Sequence, residues 1–351
     1  MKNDTALTTT VVPSPARPMM RSPALRGNWT GLAAGVLLTS ALAPFLGAYG
    51  LRIGTTVLMF VALAQAWNLI GGYAGLLALA HPAFFGTGAV AFAVMLINGL
   101  PIWAAAPLAC VMAVVLAALV GIPTLRLRGH YFVIATLLAA EGVRSLVLNF
   151  DAFGFRGGIA VNIIARTGLD ELSASQYNLI FYFSMLAAAV LSMSIAITLD
   201  RSKWGYALRA FRDNRDAASA LGIHVSRLLL IVFMTSAALT SLVGSIWAAW
   251  LGVVEPNEAF GLKLTFEIVV MVFLGGKSTV WGPVLGAMAI LLLDEMIGVE
   301  FAEFTLIVSG LIVVLVILFL PDGLVRLFKD GPRALAWSTL KANFKRYRVR
   351  G

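Results

Sequence analysis

The residues with most chemical potential in this chain are sparse and sit mostly within apolar sequence. The stretch Gly275-Gly276-Lys277-Ser278-Thr279 looks like the end of a phosphate-binding loop. Such a loop also needs an earlier glycine, a strand before it and a soluble helix after it. Met271 holds the glycine position and both flanks are apolar, so nucleotide chemistry has no support here. The histidines, His81, His130 and His224, sit in different segments, and Cys110 is the single cysteine. Neither H-E-x-x-H nor G-x-S-x-G occurs. A metal centre, a hydrolytic triad and an internal disulfide therefore lack local support.

Three polar features remain. Glu141 and Arg144 lie on one face of an apolar stretch, 131–150. Ionisable residues inside a membrane are costly and pair or face a cavity. A structural ion pair and a solute contact both fit this spacing. His81 reads as an interior histidine. The third feature is the loop 200–227, DRSKWGYALRAFRDNRDAASALGIHVSR. Leu208, Phe211, Ala217, Ala220 and Leu221 recur among its charges at helical spacing. An amphipathic helix with both signs of charge suits a groove on a partner protein better than anionic lipid.

The elements that carry these groups follow from composition. Of 351 residues, 60% are hydrophobic and 12% charged, against about 25% charged in soluble domains. Apolar runs cover 30–49, 51–70, 74–98, 101–122, 131–150, 177–199, 228–252, 264–275, 280–298 and 303–320. Backbone groups cannot stay unpaired in lipid, so the runs must be helical. The expected fold is all-α, a polytopic membrane protein of about ten crossings. The stretch 264–298 fits two short crossings or one re-entrant hairpin. With the N-terminus inside, 21 of the 26 Lys and Arg fall in inner loops and tails, as membrane topology demands. That accounts for the +9 net charge without nucleic acid. Residues 1–28 read as a disordered inner tail rather than a signal peptide, 29–328 as the membrane domain, and 329–351 as a basic inner tail.

Two apolar segments are interrupted in the same way. GGYAGLLALAHPAFFGTG (71–88) and GGKSTVWGPVLGA (275–287) each open on a glycine pair and continue to a proline. Broken helices at corresponding places in two halves point to a transport path. Asn68, Gly71, Gly72, His81, Pro82, Gly275, Gly276 and Pro283 are the candidate path residues.

Five stretches, in this order and spacing, are similar to one family. They are AQAWNLIGGYAGLLALAHPAFFGTGA (64–89), LRLRGHYFVIATL (125–137), SKWGYALRAFRDNRDAASALGI (202–223), MVFLGGKSTVWGPVLGA (271–287) and LFLPDGL (318–324). Over roughly residues 55–327 the chain resembles the permease subunits of bacterial ATP-binding-cassette importers for branched-chain amino acids. It is more similar to the longer of the two paired permeases. The resemblance implies an inner-membrane protein with both termini cytoplasmic. Implied partners are a second permease, two ATPase subunits and a soluble extracytoplasmic binding protein, with no cofactor and no catalysis in this chain. It also implies that the loop couples to the ATPase. Asp216-Ala217-Ala218 followed by Gly222 fits the family's E-A-A-x-x-x-G element with Asp for Glu. Gly205, Arg209 and Arg212 join it as coupling residues. The element's closing proline is missing near Phe233 and Met234. Related permeases carry urea, short amides or other small acids, and DAFGFRGGIAV (151–161) departs from the polar Gly-rich segment expected there. An ion-coupled transporter acting alone would need paired mid-membrane acids or histidines, for which Glu141 is the clear candidate.

Overall fold

The computed structural model describes residues 29–149, 158–161, 173–220, 224–300 and 323–325. Nine of the ten expected apolar stretches are largely helical, 74–98 only from His81, and the tenth, 303–320, lies outside the described residues. So do the tail 1–28, the C-terminal tail and Gly222.

Helices α1 (Trp29–Leu42), α2 (Ala48–Asn68), α3 (His81–Ile97), α4 (Ile102–Thr124) and α5 (His130–Asn149) come first. A two-residue strand β1 (Ile159–Ala160) and the long α6 (Ala174–Arg201) follow. The polar loop forms α7 (Lys203–Asp213) and α8 (Arg215–Ala220). Then come α9 (Val225–Leu251), β2 (Val253–Val254), a single turn α10 (Pro256–Ala259), α11 (Leu262–Gly275) and α12 (Gly282–Glu300). β1 and β2 pair antiparallel, Ile159 opposite Val254. This ribbon sits where α9 ends, so it marks the end of the bundle opposite α7. Sequence reading did not anticipate it, because four residues are too few to show a period.

The centre of the bundle is α2, whose residues Met59–Asn68 are all buried. It packs on α6 and α9, and α9 packs on α3 and α4. The α3–α9 seam is made of small residues. A Cβ at Gly88 would stand 2.3 Å from the Ser241 carbonyl oxygen, and one at Gly244 would stand 2.3 Å from that of Phe85. Such close approach raises dispersion contact, the main attraction left between helices in lipid. Ser245 Oγ adds a hydrogen bond across the seam to the Gly88 carbonyl at 3.1 Å. By contrast α4 and α5 lie at the rim, with broad apolar faces exposed.

The stretch 264–298 is a tight helical hairpin. α11, of 14 residues, is about 21 Å long at 1.5 Å rise. A Cβ at Gly286 would meet the Met271 carbonyl oxygen at 1.8 Å, and one at Gly275 that of Gly282 at 1.8 Å. Only hydrogen side chains at these positions let the two helices meet.

Candidate functional site

Both interruptions are real, but the prolines do not make them. The first begins where α2 widens into a π-turn, Leu69–Tyr73, and runs non-helically to Ala80. The second is the turn 276–281 between α11 and α12. Pro82 and Pro283 each stand in the first turn of the following helix. There the missing N–H costs nothing and the fixed φ favours the helix. The breaks belong to the glycines before them. Gly75 has φ +70° and Gly276 φ +123°.

The two breaks meet each other. Asn68, fully buried at the end of α2, donates from Nδ2 to the Thr279 carbonyl at 2.9 Å. Its Oδ1 accepts the Ser278 N–H at 3.0 Å. Ser278 is held at φ +61°, a conformation rare outside glycine, and its Oγ donates to the Gly72 carbonyl at 2.5 Å. One helical turn before Asn68, Gln65 Nε2 donates to the Val280 carbonyl. Backbone groups freed by one break are thus satisfied by side chains from the other, as unwound backbone away from water requires. A Cβ at Gly72 would overlap Asn68 Oδ1 and press on the Ser278 nitrogen at 2.8 Å.

The polar loop closes this junction from one end. α7 buries Gly205, Leu208 and Phe211 against the bundle. Gly205 must be glycine, since a Cβ there would lie 2.1 Å from the Leu199 carbonyl oxygen. Arg212 donates through Nη1 to the Gly72 carbonyl at 3.3 Å and to Ser278 Oγ. Its aliphatic stem lies against the Gly75 Cα, where a Cβ would come within 2.5 Å of Cγ. Arg209 pairs with Asp200 at 2.7 Å and stacks on Tyr206 and, at 5.8 Å, on buried Tyr73 of the first break.

Arg209 and Arg212 therefore reach toward the bundle, although the Arg212 side chain stays 32% exposed. Trp204 and Tyr206 of α7 are exposed, 40% and 60%. Asp216 is also exposed; its Oδ1 accepts from Arg128 at 3.3 Å with both side chains over 70% open. Solvent leaves such a pair little energy. Ala218 is buried, and Ala217 lies in α8.

The remaining candidates hold helices together. His81, fully buried, meets Ser236 Oγ at 2.8 Å, and Ser236 Oγ donates to the Ala66 carbonyl at 2.6 Å. A hydroxyl has one proton to give, so His81 Nε2 is the donor to Ser236. The chain α3–α9–α2 is tied by this relay. Glu141 and Arg144 pair at 2.7 Å on α5, and Arg144 Nη2 donates to Asn257 Oδ1 at 3.1 Å on α10. Asn68, Gly71, Gly72, Gly275 and Gly276 are brought together; His81 bonds instead to Ser236 of α9, and Pro82 is buried beside it in the first turn of α3. Sequence reading missed Gln65, Ser278, Thr279, Trp204 and Tyr206. Polar side chains inside or between apolar runs were the available signal for the first three.

A surface helix with exposed aromatics sits over two helix breaks that are bonded to one another.

A family model described as "Branched-chain amino acid transport system / permease component" matches residues 49–317. The chain is 31% identical over 314 residues to "High-affinity branched-chain amino acid transport system permease protein LivM" of Escherichia coli (strain K12), covering 82% of this chain and 73% of that protein. It is 27% identical over 135 residues to the corresponding permease protein LivH of the same strain, with 38% and 42% covered. It is also 27% identical over 189 residues to "Fructose import permease protein FruG" of Bifidobacterium longum (strain NCC 2705), with 51% and 55% covered. No solved structure matches the chain.

Proposed function

The chain belongs to the permease-component family of branched-chain amino acid transport systems, and on that premise we propose that it forms half of the path of an ATP-driven importer for those amino acids. The other half is a second permease of the same family, a pairing supported by the relatives named LivM and LivH. Two ATPase subunits dock on α7 and α8, and hydrolysis belongs to them. A soluble binding protein delivers solute at the opposite end, near the β1–β2 ribbon. The chain crosses the bacterial inner membrane ten times with both termini cytoplasmic, in keeping with 21 of 26 positive residues falling on that side.

The observation that carries this reading is Arg212 bonded at once to Gly72 and Ser278. A helix placed to receive a partner thereby touches both interrupted helices. Closure of the ATPases presses on Trp204, Tyr206 and Asp216. The inward side chains of α7 pass that displacement to the ends of α2 and α11. The following helices, α3 and α12, re-aim, and access switches. Solute and ATP bias this equilibrium only as far as they bind the two states differently. Asp216, Ala217, Ala218 and Gly222 contact the ATPase in this account, while Arg209 and Arg212 transmit.

The test is affinity purification from native membranes in mild detergent. Co-purification of two ATPase subunits and a second permease is expected. A chain that purifies alone while still supporting uptake would replace this reading with an ion-coupled transporter.

A further inference from the structure

The rim helices α4 and α5 are both widely exposed, yet they expose different chemistry. α4 turns Val111, Val115, Leu119 and Ile122 outward, each more than half exposed. α5 buries the stripe Phe132, Thr136 and Ala140. On its open side Tyr131, Ile134 and Leu138 give way to Gly142 and Ser145, flanked by Glu141 and Arg144. A Cβ at Gly142 would meet nothing within 4 Å. The Glu141 and Arg144 side chains remain 42% and 32% exposed even while paired. At 1.5 Å per residue they stand about 16 and 21 Å along a helix of about 30 Å, inside the hydrocarbon depth. A charged side chain facing lipid there costs about 2.5–3.5 kcal/mol on insertion scales. α4 exposes an unbroken apolar stripe, whereas α5 beyond Leu138 exposes a mixed surface on which Gly142, Ser145, Glu141 and Arg144 stand beside one large apolar side chain, Leu146, 67% exposed.

We infer that the second half of α5 faces a water-filled path shared with the partner permease, and that Glu141 and Arg144 meet the charges of a zwitterionic solute there. The inference rests on the importer reading. An amino acid carries both charges at once. Its carboxylate takes N–H groups of Arg144, and its ammonium takes the Glu141 oxygen not bonded to Arg144. Asn257 holds the guanidinium in place from α10, at the end opposite α7. The pair is thus set on the side from which solute arrives.

The chain's single cysteine makes the test clean. In a Cys110→Ser background, Ser145→Cys is compared with Val115→Cys on α4, in native membranes, using a membrane-impermeant thiol reagent. Ser145→Cys is expected to react at least tenfold faster and to be slowed by saturating leucine. Equal, slow reaction at both positions would overturn the inference. This contrast does not depend on ATPases co-purifying, so it separates from failure of the importer reading. Uptake supplies the second arm. Glu141→Gln and Arg144→Gln are expected to raise the half-saturating solute concentration at least tenfold while ATP hydrolysis continues. Wild-type uptake by the swapped variant, Glu141→Arg with Arg144→Glu, would reduce the pair to a structural bridge and overturn the solute contact.

Discussion

Arg212→Gln is the substitution that most directly probes transmission. It removes the Nη1 bonds to the Gly72 carbonyl at 3.3 Å and to Ser278 Oγ. It leaves the bonds that join the breaks to each other, from Asn68 to Ser278 and Thr279 and from Ser278 Oγ to Gly72. The junction stays folded and loses its Arg212 tie to α7, while Arg209 still stacks on Tyr73. Hydrogen bonds to a charged group contribute about 1.5–3 kcal/mol each. The Arg212 side chain is 32% exposed, so the lower end applies, and two bonds give about 3 kcal/mol. At 1.4 kcal/mol per factor of ten, the equilibrium linking α7 to the breaks weakens by up to about a hundredfold. The assay is a proteoliposome preparation in which leucine uptake and phosphate release are measured together. Solute moved per ATP is expected to fall at least tenfold, with ATPase retention unchanged. Arg212→Lys, which keeps the charge with fewer geometric options, should fall between. Solute per ATP within twofold of wild type would refute the transmission argument. Loss of ATPase retention would return Arg212 to the docking surface.

Other consequences follow from the same contacts. Tyr206→Ala, at a side chain 60% exposed, should leave the chain's melting temperature in place and weaken ATPase retention at least tenfold, the scale of an interfacial aromatic anchor; pull-down at graded detergent stringency reads this. Gly244→Ala drives a Cβ to 2.3 Å from the Phe85 carbonyl oxygen, and overpacking of this kind costs about 1–3 kcal/mol, seen as a lower melting temperature by fluorescence-detected gel filtration. Ser236→Ala strips the acceptor from His81 and the donor from Ala66. That leaves buried polar groups unpaired at about 1–3 kcal/mol each, and the same melt should report it. Removing residues 2–20 should leave uptake within twofold of wild type, since the family match begins only at residue 49.

The helices were legible because lipid leaves the backbone no alternative: an uninterrupted apolar run of crossing length must be helical. The breaks were legible from Gly71–Gly72 and Gly275–Gly276. Pro82 and Pro283 misled slightly, since a proline marks a helix start as readily as a kink. What could not be read was who meets whom. Asn68 and Thr279 are 211 positions apart, and Arg212 and Gly72 are 140 apart. No local period reports such a pairing. Ser278 drew notice only as part of a phosphate-loop imitation, yet its strained φ and its three partners make it the centre of the junction. The resemblance identified the loop as a coupling element but assigned all its residues one role. Within α7, Leu208 and Phe211 are buried and Arg209 and Arg212 bond to the bundle, while Trp204 and Tyr206 stay exposed; in the proposed mechanism the buried side transmits and the exposed groups dock.

In the proposed mechanism, solute movement through this chain is driven by ATP hydrolysed in partner subunits. The direct measurement is uptake of radiolabelled leucine into proteoliposomes that hold this chain, the second permease and the ATPases, with binding protein outside and ATP inside. Uptake that requires ATP, the binding protein and both permeases is the expected result. Uptake by this chain alone, following a proton or sodium gradient and indifferent to ATP, would contradict the account.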